Sequence, residues 1–107
     1  TARINSITKD CVSGGKIHRQ VAAGNLSYLK KCLSVGVNPN LTQSNRWTLL
    51  HLASRGGYLN MAKLLLAKGA DVNAKAANGK TPLDMATEQN QTRLVAYLRS
   101  RGGVVTR

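Results

Sequence analysis

The sequence predicts an all-α solenoid of stacked helix–turn–helix units, and three observations predict it. Glycine recurs at Gly36, Gly69 and Gly102, 33 residues apart. The stretch from Trp47 to Asn73 holds two short apolar runs, one at Leu49, Leu50, Leu52 and Ala53 and one at Met61, Ala62, Leu64, Leu65 and Leu66, parted by Gly56-Gly57. Residue types around these runs recur in the same register: Leu50 matches Ile17 and Leu83, His51 matches His18, Thr48 matches Thr81, and Asn73 matches Asn40. Neither run is long enough to form a stable helix alone in water. A fixed period of this length marks an array in which each unit buries its apolar face on the next.

The central unit is the best written of the series. Thr48 is placed to cap the first helix through its hydroxyl. Gly69 stands where a helix C-terminus calls for positive φ. The residues Thr48-Leu49-Leu50-His51-Leu52-Ala53, Gly57, Leu65-Leu66 and Gly69-Ala70-Asp71-Val72-Asn73 resemble an ankyrin repeat, nearly whole. Thr81-Pro82-Leu83-Asp84-Met85-Ala86 begins a second copy, with Pro at the first helical position. Leu49 departs from the family's usual Pro there. The resemblance spans about Lys16 to Gly103 and implies a stack of about three repeats with short β-hairpin fingers projecting from it.

Residues 1–15 show no clear period and read as a flexible lead-in. Gly14-Gly15-Lys16 is not a phosphate loop, since Ile17 follows where Ser or Thr would hold magnesium, and no preceding strand is evident. The repeat domain is expected over residues 16–103, with units near 16–46, 47–79 and 80–103, and a tail at 104–107. In the first unit Ile17, His18, Val21 and Ala22 belong to the first helix and Leu26, Leu29 and Leu33 to the second. Gln20 stands where Ala53 and Ala86 pack, which suits an end repeat. Leu41 to Trp47 and Ala74 to Lys80 occupy the finger positions. Asn78-Gly79 reads as a two-residue hairpin turn. Asn45-Arg46 replaces it in the earlier finger, putting Arg46 where Gly is usual and predicting strain or a different turn. In the last unit Asn90 takes the place of Gly24 and Gly57 and is expected in a left-handed turn. Gln91, Arg93, Arg99 and Arg101 give this unit the polar outside of a C-terminal cap.

The 107 residues bound a single domain, and 16 Lys and Arg stand against 4 Asp and Glu, a formal charge of +12. That balance favours acidic partners or polyanions. Cys11 and Cys32 match no metal-ligand spacing. Cys32 is expected as a buried free thiol beside Leu33 and Cys11 as an exposed one, both reduced in an intracellular protein. No apolar stretch is long enough for a membrane span. A chain beginning at Thr1 reads as a piece of a longer protein. The sequon matches at Asn25, Asn40 and Asn90 are too short a pattern to carry weight in such a protein.

No set of side chains assembles a nucleophile, a base and an oxyanion device, so no catalytic residue, cofactor or metal is assigned. His18 and His51 lack neighbouring ligands at metal spacing. The family resemblance implies instead that they hold loop backbone by hydrogen bonds. Asp84 and Glu88, four residues apart, read as a solvated or basic-partnered helix face rather than a catalytic pair.

The resemblance implies partner recognition through the concave groove formed by fingers and inner helices. Trp47, at the base of the first finger, is the leading contact residue, because tryptophan is enriched in binding hot spots. Arg46, Arg55, Ser44, Asn45, Lys75, Asn78, Lys80, Glu88 and Gln89 are expected to face the same groove. The expected function is a non-catalytic adaptor or scaffold module, monomeric and cytoplasmic or nuclear, binding a protein or peptide of acidic or amphipathic character. The alternative is a basic module that meets nucleic acid or anionic membrane through Lys30, Lys31, Lys63 and Lys68 on the convex back.

Overall fold

The structure is a computed structural model that describes Cys11, residues 15–43 and residues 45–104. Among the described residues six helices with defined bounds follow one another: α1 (Lys16–Ala22), α2 (Leu26–Ser34), α3 (Leu49–Gly56), α4 (Leu59–Ala67), α5 (Pro82–Glu88) and α6 (Thr92–Ser100). They pair within each repeat as α1 with α2, α3 with α4 and α5 with α6. The odd-numbered helices stack closely on one another, and the even-numbered ones less closely. The stack therefore curves, with α1, α3 and α5 on the inner side. Its long dimension is 44 Å against 24 and 21 Å across.

Local chemistry explains the helix boundaries. The Thr48 hydroxyl accepts from the His51 backbone N–H (3.2 Å), and the His51 ring accepts from the Thr48 N–H (3.2 Å), a reciprocal cap. Thr81 and Asp84 repeat this arrangement at α5, with Pro82 starting the helix where no N–H is needed. The first repeat has no such cap. Gly15 stands in the Thr position with no side chain to offer, which is the local weakness of an end unit. Asn25 caps α2 by accepting from the Tyr28 N–H (3.1 Å) and gives its amide to Gln20 (2.9 Å). Gln20 thus serves a turn instead of a core. Asn90 adopts φ 56°, in the register of Gly24 and Gly57.

Leu29, Leu49, Leu50, Leu65, Leu83, Leu94 and Leu98 are fully or almost fully buried and run as one core through all three repeats. Removing one such side chain typically costs about 2–5 kcal/mol.

Two side-chain types tie each repeat to the next. The Asn40 amide donates to the Gly69 carbonyl (3.2 Å), and its oxygen accepts from the Asp71 N–H (2.7 Å). Asn73 does the same one repeat later, to the Gly102 carbonyl (3.0 Å) and from the Val104 N–H (2.9 Å). His51 Nε2 donates to the Lys80 carbonyl (2.8 Å) across the repeat boundary, and His18 Nε2 to the Leu41 carbonyl (3.1 Å). Both histidines thus have the structural role that the resemblance implies.

Two expectations are corrected. The cysteines are not free: Cys11 and Cys32 form a disulfide with Cα atoms 6.0 Å apart, and both are fully buried. Their 21-residue separation says nothing about pairing; only the fold brings Cys11 against α2. The second finger does not turn on Asn78-Gly79 as its central pair. The Gly79 N–H donates to the Ala76 carbonyl (2.8 Å), so Ala77 and Asn78 are central, and Gly79 follows at φ 82°. That is the three-residue hairpin loop, in which glycine takes the left-handed position after the turn. The fingers are also shorter than strand-built hairpins. Among the described residues the bridge between Thr42 and Thr48 is the sole β-pairing.

Candidate functional site

The inner face between the first two repeats holds a shallow pocket of about 210 Å³ lined by His18, Arg19, Ala22, Gln43, Asn45, Trp47, Leu52 and Arg55. α1 supplies one wall, α3 another, and the first finger the rim. Trp47 stands directly before the Thr48 cap, so the start of α3 fixes where its indole sits. The ring is half-buried and tilted against His51, with centroids 6.0 Å apart. Arg55, two turns along α3, lays its guanidinium over the indole, 5.1 Å from the ring centroid. Stacking of this kind occupies the face of the guanidinium and leaves its N–H edge available.

The first finger is a tight turn. The Arg46 N–H donates to the Gln43 carbonyl (2.9 Å), and the Gln43 N–H donates to the Trp47 carbonyl (3.0 Å). Arg46 has φ 63°, the left-handed conformation that Gly79 adopts in the second finger. A side chain there costs about 1 kcal/mol or more. The Asn45 carboxamide oxygen accepts from the Trp47 N–H (3.2 Å), and the Asn45 carbonyl accepts from the Ala77 N–H (2.9 Å), joining the two fingers. Asn78 repeats the first of these bonds towards the Lys80 N–H (3.1 Å).

The sequence-predicted contact residues therefore fall into separate groups. Asn45, Trp47 and Arg55 come together in the pocket. Lys80 and Glu88 form an ion pair with each other one repeat on. Arg46 and Asn78 lie in the finger turns, and Lys75 and Gln89 are exposed to either side of the second finger and at the end of α5. Ser44 lies outside the described residues. Arg19 and Gln43 line the pocket without having been singled out. Gln43 could have been found from its place in the finger, whereas Arg19 aligns with Leu52 of the next repeat, an apolar position that hides it. A larger cavity of about 600 Å³ lies at the turns, lined by Gly24, Tyr58, Gln91 and Arg93 among others, and none of the predicted contact residues reaches it.

Burial lowers the pKa of both His18 and His51, only partly offset by the backbone carbonyl each one meets and, at His51, by Asp84. Each is held neutral by its surroundings. With the Thr48 N–H and hydroxyl both aimed at His51 Nδ1, the ring proton must sit on Nε2, facing Lys80. Both ring nitrogens of His51 are thus committed to hydrogen bonds. Among the described residues no group of three or more His, Cys, Asp or Glu is placed to hold a metal ion. No described helix is long and apolar enough to cross a membrane.

Comparison with known proteins agrees with this architecture. A family model described as ankyrin repeats (3 copies) matches residues 17–107. The potassium channel KOR2 of Oryza sativa is 36% identical over 94 residues, 88% of this chain and 13% of the channel. The ARF GTPase-activating protein Git of Drosophila melanogaster is 34% identical over 84 residues, 78% of this chain and 12% of that protein. The chain thus spans about an eighth of the length of these curated relatives. In the crystal structure of the human ASB11 ankyrin repeat domain, the match covers 81% of this chain and 39% of that one, with 39% identity and a TM-score of 0.77. Period, caps, inter-repeat ties and these matches have one source: the chain belongs to the ankyrin-repeat family.

Proposed function

We propose that this ankyrin-repeat domain is a non-catalytic recognition module that binds a partner protein or peptide through its inner face and fingers, as the adaptor part of a longer chain. Ankyrin repeats are protein-interaction modules as a class. The observation that carries the finer reading is the Trp47–Arg55 stack, which opens onto the pocket between the first and second repeats. A half-buried indole held in one position loses little conformational freedom on binding, and tryptophan and arginine recur as interface anchors. The solenoid supports it rigidly from behind through Leu49, Leu50 and Leu52. Capture of a partner from lysate by the wild-type domain and by Trp47→Ala tests the reading. The expected result is a discrete protein lost at least tenfold in the variant, with the far-ultraviolet helical spectrum unchanged. Equal capture would remove the groove from the function. Loss of the helical spectrum would assign Trp47 to packing.

A second reading is favoured by one observation on the opposite face. α2, α4 and α6 carry Lys30, Lys31, Lys63, Arg93 and Arg99, all exposed, and no aspartate or glutamate. Such a surface suits a polyanion such as nucleic acid or an anionic bilayer. It predicts binding that Lys30→Gln with Lys63→Gln weakens and Trp47→Ala does not.

A further inference from the structure

The inner face is not uniform along the stack, and the repeat register exposes the difference. Trp47 and Arg55 occupy the positions that Lys80 and Glu88 occupy 33 residues later. Both pairs join the base of a finger to the last turn of an inner helix. In the later pair a cation meets its own carboxylate, and both charges are spent. In the earlier pair the carboxylate is replaced by a guanidinium, the cation by an indole, and the contact is a stack.

We infer that the pocket beside the Trp47–Arg55 stack is a subsite for a carboxylate side chain of the partner, which makes the partner segment acidic where it crosses the first finger. This rests on the groove reading above and specifies its ligand chemistry.

Several observations converge on a carboxylate. The Arg55 guanidinium lies over the Trp47 ring, 5.1 Å from its centroid, at the pocket wall, and a guanidinium's paired N–H groups match the two oxygens of a carboxylate. Gln43 and Asn45 line the same pocket and add donors. Asn45 uses its carboxamide oxygen on the Trp47 N–H, and its amide nitrogen is a donor. Among the described residues no carboxylate lines the pocket. The described carboxylates are committed elsewhere: Asp84 caps α5, Glu88 pairs with Lys80, and Asp71 accepts from the Asn73 N–H (2.9 Å) in an outer loop. The volume of about 210 Å³ accepts one side chain, not a helix.

Trp47 is the only tryptophan of the chain, so its fluorescence reports on this subsite alone. The probes are two capped peptides of twelve residues, one alternating glutamate with alanine, the other with glutamine in place of every glutamate. At 0.15 M salt the glutamate peptide is expected to shift Trp47 emission saturably, with an affinity at least tenfold above the glutamine peptide. Arg55→Lys keeps the charge but loses the planar guanidinium and its paired N–H groups. It should reduce that preference to threefold or less. Lys30→Gln with Lys63→Gln, on the far side of the stack, should leave the preference intact.

Equal response to the two peptides, or no response to either, overturns the carboxylate subsite. So does a preference that survives Arg55→Lys, or one lost on the far-side substitutions. The groove reading fails separately, when a captured partner binds Trp47→Ala as well as the wild type. A partner that needs Trp47 but tolerates neutralisation of all its carboxylates would leave the groove standing and end the assignment of its ligand.

Discussion

Arg55 lies over the Trp47 indole at 5.1 Å in the register where the next repeat sets the Lys80–Glu88 ion pair. One backbone geometry thus carries a stack in one repeat and a neutralised pair in the next. Repeat proteins allow this because each unit's inner positions are exposed and free to vary while its core positions are not. The consequence is an inner face that carries a cation on an indole beside the first finger and an ion pair beside the second.

Arg46 separates stability from recognition. Its φ of 63° suits glycine, and the second finger has Gly79 in that place. Arg46→Gly relieves left-handed strain of about 1–2 kcal/mol and gives back up to about 1 kcal/mol through the greater freedom of the unfolded chain. The expected net result is a melting temperature unchanged or raised by a few degrees. If strain at the finger tip is kept for contact, the same variant binds the captured partner several-fold more weakly. Thermal melts and a binding isotherm on one protein preparation check both arms.

The two histidines set an acid limit on stability. Their folded pKa values lie below the ordinary 6.5, mainly because burial disfavours the charged ring. Below pH 6.5 the unfolded chain takes up protons that the folded chain refuses. Stability is therefore complete above that pH and falls as pH drops through and below it. At His51 the conflict is direct, since a proton on Nδ1 would face the Thr48 N–H. Melting temperature should decline between pH 6.5 and 5, and His51→Gln should flatten that decline while lowering the plateau at pH 7.5. A decline of equal steepness in the variant would place the effect elsewhere.

Asn73 ties the second repeat to the third by two hydrogen bonds, to the Gly102 carbonyl and from the Val104 N–H. Each is worth about 0.5–1.5 kcal/mol net. Asn73→Ala should cost about 1–2 kcal/mol in total. Because each repeat contacts only its neighbours, the loss should be local. Hydrogen exchange in α5 and α6 should accelerate more than in α1 and α2. Uniform acceleration would show that the stack melts as one unit.

The Cys11–Cys32 bridge closes a loop of 21-residue separation at the least well capped end of the stack. By loop entropy its removal costs about 3 kcal/mol. Reduction with dithiothreitol, or Cys11→Ser, should lower the denaturant midpoint and expose α2 first to exchange and proteolysis. Such bridges persist in oxidising compartments and open in reducing ones. An unchanged midpoint would mean that the end repeat is held by Ile17, Val21 and Leu29 without help.

The sequence by itself determined the solenoid. The 33-residue period, the Thr and Pro at helix starts and the glycines at helix ends are local signals, each acting within a turn or a helix. They need no knowledge of what lies across the core, which is why Thr48, Thr81, Gly69 and Asn90 behave as the sequence predicts. Tertiary structure alone decided the rest. Cys11 meets Cys32, Arg55 covers Trp47, and Lys80 is closed by Glu88 because stacking sets which side chains share a surface. Arg19 enters the pocket from the preceding repeat, although its register position suggests core. Backbone conformation follows from short-range sterics and hydrogen bonding, and so repeats with the sequence. Side-chain partnership across repeats depends on the unlike residues that the period brings face to face.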